Sequence, residues 1–180
     1  MKFGIRNTSF VYPNGTGNIW EDTKAHIQRA EQDGFDSFWV MDHFYQLPAH
    51  GSVEEPFLDA WTVLPALAAV TSRIRLGAMV SPVGYRNPAL LARMGASLDH
   101  ISGGRMNFGF GAGGYKPEYQ AYGFEFIEKK PVRLAQMKEA LQLILRMWTE
   151  PCFTFHGKYF HVKDAILEPK PLQKPHPPIL

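Results

Sequence analysis

The sequence predicts an α/β protein with a parallel sheet, arranged either as a doubly wound sheet or as a (β/α)8 barrel. Short apolar segments alternate with longer amphipathic segments, and four such pairs follow one another along the 180 residues. Strand–helix units in series favour parallel strands joined by right-handed crossovers. The strand segments are near-continuous apolar runs, which indicates a sheet covered on both faces.

Composition narrows the class of protein. The chain is 45% hydrophobic and 20% charged with a net charge of +2, which is typical of a globular protein. Acids and bases are interspersed, so a general nucleic-acid surface is not expected. We expect a cytoplasmic protein that does not enter a membrane, because no long apolar run or signal segment is present. The single cysteine, Cys152, cannot form an internal disulfide.

The first unit pairs a strand over residues 2–6 with a helix over 19–33, and Gly34 follows as the helix C-cap. A second strand is predicted over 35–41, followed by a helix over 56–71. The helical face of the first unit is expected to comprise Trp20, Thr23, Ile27 and Ala30.

The third unit has a strand over 73–80 and a helix that begins with Asn87 as N-cap and Pro88 at the first helical position. A turn at 102–104 leads to a fourth strand over 105–110. The buried face of the third helix is expected to comprise Leu91, Met94, Leu98 and Ile101. A long helix over 131–148 follows, with a predicted apolar stripe of Leu134, Met137, Leu141, Leu145 and Trp148.

The last thirty residues break this rhythm. Residues 153–162 predict a hairpin that turns at His156 and Gly157, and five prolines lie between 168 and 178. Ile179 and Leu180 resemble the start of a fifth strand. A full barrel takes roughly 250 residues, so we expect 1–180 to be the N-terminal part of a single (β/α)8 domain with an insertion over 151–178.

Polar and small residues follow three of the strands, where a parallel barrel places its catalytic groups. Asp42 and His43 offer a carboxylate beside an imidazole, suited to proton transfer, although Asp42 is equally suited to cap a turn and His43 to be an ordinary loop residue. Residues 78–81 are suited to a platform under a flat ring, with Ser81 as a polar contact, but the pattern by itself favours core packing.

Glycines at 109, 111, 113 and 114 follow the fourth strand and would let a ligand approach the backbone. Such a run is a weak signal by itself. Glu118, Tyr119 and Tyr122 come next and are suited either to the same site or to a solvated helix surface. Neither a zinc motif nor a serine-hydrolase elbow is present.

Several segments together resemble the luciferase-like monooxygenase superfamily, and most closely its F420-dependent branch. They are Gly-Phe-Asp-Ser-Phe-Trp-Val-Met-Asp-His (34–43), the stretch from Arg75 to Met94, the stretch from Leu98 to Gly113 with its continuation to Gly123, Leu-Arg-Met-Trp-Thr-Glu (145–150) and Phe-His-Gly-Lys-Tyr-Phe (155–160). The resemblance implies a (β/α)8 barrel with an insertion after the fourth strand, incomplete here beyond the start of the fifth strand.

The resemblance also implies a cofactor, coenzyme F420 or alternatively FMN, with its ring at the C-terminal end of the barrel. His43 would be the catalytic residue, either as a proton donor or as a group that stabilises the reduced cofactor. A non-prolyl cis peptide would lie in the stretch 78–80. The residues implied to contact the cofactor are Asp42, Ala78, Met79, Val80, Ser81, Ala112, Gly113 and Gly114.

The implied activity is hydride transfer between F420 and a small organic substrate, with FMN-dependent monooxygenation as the alternative. A non-catalytic subunit of a two-chain enzyme is the alternative of another class. The sugar-phosphate dehydrogenases of the family have a glutamate where this chain has Gly114, which argues against that substrate. The cofactor-phosphate contacts come from the second barrel half, so we expect residues 1–180 alone to be inactive and the complete protein to be a homodimer.

Overall fold

The computed structural model describes residues 1–180. A 3-10 turn at Thr16–Asn18 precedes the first helix. The strands and helices, in chain order, are β1 (Gly4–Asn7), α1 (Ile19–Gln32), β2 (Ser37–Val40), α2 (Ala60–Ala69), β3 (Arg75–Ala78), β4 (Ser81–Pro82), α3 (Pro88–Ile101), β5 (Phe110–Gly111), α4 (Lys116–Ala121), α5 (Lys130–Thr149), β6 (Phe153–His156) and β7 (His161–Ala165). The short helix α4 has no counterpart in the sequence prediction.

The strands β1, β2 and β3 form one parallel sheet in that order, and β4 pairs in parallel with β5. A parallel bridge between Leu76 and Met106 connects the two groups. Another parallel bridge joins Phe108 to Ile179, and Leu180 N donates to the carbonyl oxygen of Phe108 at 3.0 Å. The expected fifth strand is therefore present at its first residues, paired with the fourth.

The fourth strand is interrupted, whereas the sequence predicted a continuous run over 105–110. Asn107 N bonds to the carbonyl oxygen of Leu76, but the next bond joins Ser81 N to that of Gly109. Between these two bonds the segment that contains β3 and β4 runs five residues, from Leu76 to Ser81. The segment that leads into β5 runs only two residues, so residues 78–80 form a bulge. The Met79–Val80 peptide inside it is cis, in the stretch where the resemblance implied one.

Local capping follows the sequence prediction closely. Gly34 ends the first helix with a φ of 84°. The side chain of Asn87 accepts hydrogen bonds from Ala89 N at 2.8 Å and Leu90 N at 3.4 Å, with Pro88 at the first helical position. The second helix begins at Ala60 rather than residue 56, because Asp59 caps it by accepting a bond from Thr62 N at 2.8 Å. The cap side chains of Asn87 and Asp59 bond to backbone groups two or three residues away, so such caps depend only on the local sequence.

The buried faces of the helices differ in part from the predicted stripes. Trp20, Ile101 and Leu134 are exposed. The last two turns of α5 pack against α3, and Trp148 Nε1 donates to the carbonyl oxygen of Ala92 at 2.8 Å. This packing buries the row that contains Ala140, Leu143, Ile144, Met147 and Trp148. The α5 sequence has two adjacent apolar rows, and contact with α3 decides which one is covered.

The hairpin of β6 and β7 is antiparallel and is fastened to α5 by one carboxylate. Glu139 accepts hydrogen bonds from the backbone N–H groups of Lys158, Tyr159 and Phe160, at 3.0, 2.7 and 2.8 Å. The predicted turn at His156 and Gly157 lies at the start of this tip, where Gly157 N bonds to the carbonyl oxygen of Phe160. None of the helices is both long and apolar enough to span a membrane.

Gly109→Ala should destabilise the protein, because an added Cβ would lie 2.0 Å from the carbonyl oxygen of Ala78, a backbone atom that cannot move aside freely. We expect a loss of about 1–3 kcal/mol in the free energy of unfolding, measured by urea titration. Gly17→Ala is the control, because no atom lies within 4 Å of its added Cβ. Equal stability of the two variants would contradict the close approach.

Candidate active site

Loops that follow β2, β4 and β5 converge at the C-terminal ends of the parallel strands. The loop after β2 carries Asp42 and His43, while Ser81 lies in β4 directly after the bulge. The segment after β5 runs through Ala112 and Gly113 into α4. Most of the predicted site residues therefore lie at one end of the sheet, as parallel topology requires.

Asp42 is fully buried and is held by three donors. Its Oδ2 atom accepts hydrogen bonds from Ser81 Oγ at 2.6 Å, Arg86 Nη1 at 2.7 Å and Trp61 Nε1 at 3.1 Å. Trp61 Nε1 also donates to Ser81 Oγ at 2.8 Å. Since the Ser81 hydroxyl is likewise buried and engaged with Asp42 and Trp61, it acts within the protein's own network.

The Asp42 carboxyl is an ionisable group in a fully buried position. Burial raises its pKa, and the neighbouring Arg86 and the Ser81 hydrogen bond only partly oppose that effect. Its second oxygen, Oδ1, is buried and has no hydrogen-bond partner. A buried acceptor without a donor is uncommon in native proteins, so this atom indicates a place for an external N–H or O–H group.

Arg86 links two carboxylates from different parts of the chain. Its Nη1 contacts Asp42, and its Nη2 contacts Asp59 Oδ2 at 2.8 Å. Asp59 is also the N-cap of α2. The guanidinium therefore ties the loop after β2 and the start of α2 to the segment that precedes α3.

His43 is partly exposed, at 21% of its side chain, and is oriented by a second buried carboxylate. Its Nδ1 lies 2.6 Å from Glu118 Oε2 on α4, 75 residues further along the chain. Glu118 also accepts hydrogen bonds from Phe44 N at 2.6 Å and from the Tyr85 hydroxyl at 2.5 Å. One carboxylate thus holds the imidazole and the backbone beside it.

Glu118 is fully buried, so the surface role left open for it by the sequence is wrong. Burial by itself would raise its pKa, but the hydrogen bonds from His43, Tyr85 and Phe44 N outweigh burial and lower the pKa. The carboxyl is therefore ionised at neutral pH. In turn, burial and the bond to Glu118 raise the pKa of Tyr85, which stays a neutral donor.

The bulge after β3 presents an apolar surface beside these polar groups. Ala78 is buried, whereas Met79 and Val80 are 37% and 38% exposed. Gly111 lies against them, and a Cβ added there would come within 2.6 Å of Val80 Cγ2. The absence of a side chain at residue 111 keeps this surface free of projections.

The glycines after β5 differ in their surroundings. Gly113 has a φ of 70°, and an added Cβ would lie 2.1 Å from the Tyr119 hydroxyl, so a side chain is excluded there. Its carbonyl oxygen accepts a hydrogen bond from Arg133 Nε at 3.2 Å. Ala112 is half-buried, while Gly114 is exposed with no atom within 4 Å of an added Cβ.

Sequence reasoning missed Trp61, Tyr85 and Arg86 as site residues. Trp61 lies within the predicted helix over 56–71, where a tryptophan is most simply explained by core packing, yet its indole N–H donates to Asp42. Arg86 precedes the helix cap at Asn87, and a basic residue there carries no distinctive local signal. Their roles depend on partners that are at least 19 residues away in the chain.

These features fit a flat heterocyclic cofactor. An unpartnered buried carboxylate oxygen suits a ring N–H, and the exposed Met79 and Val80 suit an apolar ring face. The glycine-lined strand β5 allows close backbone approach. Parallel strands with an acid–base pair and an apolar surface at the same end are suited to hold a flavin-like ring.

The family model for luciferase-like monooxygenases matches residues 1–180, and the chain belongs to this family. It is 36% identical over 154 residues to the F420-dependent glucose-6-phosphate dehydrogenase of Amycolatopsis mediterranei strain U-32, a match that covers 84% of this chain and 45% of that protein. It is 32% identical over 152 residues to the FMNH(2)-dependent dimethylsulfone monooxygenase of Pseudomonas putida, covering 84% and 40%.

A similar solved structure is an F420-dependent secondary alcohol dehydrogenase in complex with an F420-acetone adduct. It has a TM-score of 0.81 and 28% identity, and the match covers 99% of this chain and 51% of that one. The predicted luciferase-like (β/α)8 barrel is confirmed, and the chain spans about half the length of these relatives. Relatives that use F420 and relatives that use FMN support a flavin-like cofactor without distinguishing the two.

Arg86→Met should lower the free energy of unfolding by about 3–5 kcal/mol at neutral pH, because Asp42 would remain buried without its cation. The folded-state pKa of Asp42 is raised, so folding favours its protonated form. The contribution of protonated Asp42 to the free energy of unfolding is therefore complete below its unfolded-state pKa. It is lost as the pH rises through the folded-state pKa. The deficit of the variant should shrink as the pH falls, which urea titrations at several pH values would measure.

Arg29→Met is the matched control, because Arg29 pairs with Asp33 on an exposed helix surface. Its unfolding midpoint should stay close to that of the wild type at every pH. A pH-independent deficit in Arg86→Met would contradict the ion pair as its cause.

Proposed function

We propose that the protein is an oxidoreductase that transfers a hydride between coenzyme F420 and a small organic substrate. The observation that carries this proposal is His43, partly exposed and held by the buried carboxylate of Glu118. It directly follows Asp42, and Asp42 bonds to Ser81 at the end of the apolar bulge of Met79 and Val80. An oriented imidazole next to a seat for a flat ring supplies the two requirements of such a reaction, a proton carrier and a hydride carrier held close together.

The residues Asp42, Met79 and Val80 would hold the ring. The unpartnered Asp42 Oδ1 would accept a hydrogen bond from a ring N–H, and the two apolar side chains would cover one face. Ala112, Gly113 and Gly114 are proposed to line the same seat, and the buried Ala78 and Ser81 would support it from behind. When bound, the deazaflavin supplies a two-electron acceptor and donor of hydride.

His43 would move the proton. Since an ionised carboxylate only accepts hydrogen bonds, Nδ1 carries the hydrogen shared with Glu118 and Nε2 is left to face the substrate. In the oxidation of an alcohol, Nε2 of His43 would take the hydroxyl proton, and bound F420 would supply the acceptor for the hydride from the alcohol carbon. Two electrons and two hydrogens leave the substrate, and a carbonyl compound is formed.

The relative of 36% identity is named as F420-dependent and the relative of 32% identity as FMNH(2)-dependent, so monooxygenation with reduced FMN is the second candidate. Titrating each cofactor into the protein as its host produces it separates the two. Tight binding of F420 with weak binding of FMN supports hydride transfer, and the reverse preference supports monooxygenation. Tight binding of neither, together with a stable complex with a second chain, would favour a non-catalytic subunit.

His43→Ala should lower kcat by about 10²–10⁴-fold, the usual contribution of a positioned acid–base group. The Kd of the cofactor should change far less, because the imidazole acts on the substrate. Steady-state turnover and cofactor titration on the same preparation measure both quantities. His156→Ala, an exposed histidine of the hairpin, is the control and should keep the turnover of the wild type. Undiminished turnover in His43→Ala would refute this role.

Glu118→Gln should also reduce kcat, by about tenfold or more, since the amide holds His43 without a charge. The folded-state pKa of Glu118 is lowered, so its contribution to stability is full above the unfolded value of 4.5 and is lost as the pH falls through the folded-state value. The stability difference between wild type and variant should therefore shrink in acid, as measured by urea titration. Glu125→Gln, at an exposed site, should show neither effect.

A further inference from the structure

Aromatic side chains from three parts of the chain, the loops after β2 and β4 and the two ends of α4, lie together near His43. The ring of Phe44 packs between Tyr85 and Tyr122, with centroid distances of 4.5 and 4.4 Å. Tyr45 lies 6.5 Å from Tyr122 at an interplanar angle of 27°, and 6.2 Å from Tyr115. We call the three outer rings, Tyr45, Tyr115 and Tyr122, the aromatic shelf.

The aromatic shelf is continuous with the proposed proton carrier. The Tyr115 and His43 rings are 6.3 Å apart and nearly perpendicular, at 82°. Tyr122 is 52% exposed, while Tyr45 and Tyr115 are half-buried. Phe44, beneath them, is supported on its other side by Tyr85, whose hydroxyl is bound to Glu118. The shelf is therefore a supported surface with open ring area, rather than an isolated exposed residue.

The cations against these loops are already engaged. Arg86 is paired with Asp42 and Asp59, and Lys116 is paired with Glu128. The third, Arg133, donates to the carbonyl oxygens of residues 113, 127 and 128. Within residues 1–180 the shelf therefore offers open ring area rather than an unpaired cation, which suits an uncharged flat group.

The polar groups of the shelf are phenols. Burial raises the pKa of Tyr45, and the neighbouring Tyr115 and Glu118 add to that effect, so the hydroxyl stays neutral. Neutral phenols donate and accept hydrogen bonds with hydroxyl or carbonyl groups. Aromatic rings in stacked or edge contact gain about 0.5–1.5 kcal/mol beyond the area that they bury.

We propose that the substrate of this site is a flat, uncharged aromatic compound whose ring carries a side-chain alcohol with hydrogen on its carbon, or the corresponding carbonyl group. It would stack on the aromatic shelf with that carbon towards His43. The proposal rests on the proposed function for the use of His43. It departs from the sugar phosphate that names the relative of 36% identity, because a sugar phosphate offers no flat ring and brings two negative charges.

The test compares two probes of the same skeleton, 2-naphthol, which is flat and aromatic, and trans-2-decalol, its saturated counterpart. Glucose 6-phosphate is the third probe. Each is titrated into the protein as its host produces it, saturated with the cofactor that it binds, and binding is followed by saturation-transfer NMR and tyrosine fluorescence. We expect 2-naphthol to bind about tenfold or more tightly than trans-2-decalol and glucose 6-phosphate.

Variants locate the binding on the shelf. Tyr45→Leu and Tyr122→Leu remove a ring but keep apolar bulk, and each should weaken 2-naphthol binding about three- to tenfold with little change for trans-2-decalol. Tyr45→Phe and Tyr122→Phe restore the ring and should restore the preference for the flat probe. Tyr159→Leu, in the hairpin, is the matched control and should bind both probes as the wild type does.

Equal affinity for the two skeletons, tighter binding of glucose 6-phosphate, or unchanged naphthol binding in both leucine variants would each overturn the proposed substrate class. Cofactor affinity and His43→Ala turnover are measured on the same preparations. If cofactor binding fails, the proposed function fails. If the cofactor binds and only the preference for the flat probe is missing, the proposed function stands and the substrate class alone is wrong.

Discussion

The buried carboxylate of Asp42 is the constraint on which this end of the sheet depends. It lies directly after β2, and its hydrogen bonds reach the indole of α2, the hydroxyl of β4 and the guanidinium of Arg86. Arg86 extends the connection to Asp59 at the start of α2. Because removing a charge from water is costly unless it is paired, these elements must meet in one arrangement for Asp42 to remain buried.

The two buried carboxyl groups of the site lie in different environments, and their pKa values shift in opposite directions. Desolvation dominates at Asp42 and raises its pKa even with a cation beside it. At Glu118 three donors outweigh desolvation, and the pKa is lowered. The first carboxyl keeps an unpartnered oxygen, whereas the second uses its oxygens to hold His43 and the neighbouring loop. In the proposed function, one seats the ring and the other positions the proton carrier.

The bulge at 78–80 connects backbone geometry with the site. The three residues of the bulge make no backbone hydrogen bonds to the strand that leads into β5. Two of them, Met79 and Val80, are partly exposed and form an apolar surface. Gly109 and Gly111 make this possible, because a side chain at either position would strike the bulge. The glycine run that looked like a weak ligand-binding signal is therefore at least in part a requirement of packing.

The sequence by itself determined the order of the strands and of the four longer helices, the caps at Gly34 and Asn87, the hairpin, and the location of Asp42 and His43 after the second strand. These depend on periodicity and on residues within a few positions of one another. Tertiary structure alone decided that Glu118 is buried against His43, that Trp61 and Arg86 serve Asp42, and which row of α5 is covered. Burial and ion pairing depend on partners far apart in the chain, and His43 and Glu118 are 75 residues apart. Local sequence patterns therefore cannot predict which of these residues meet.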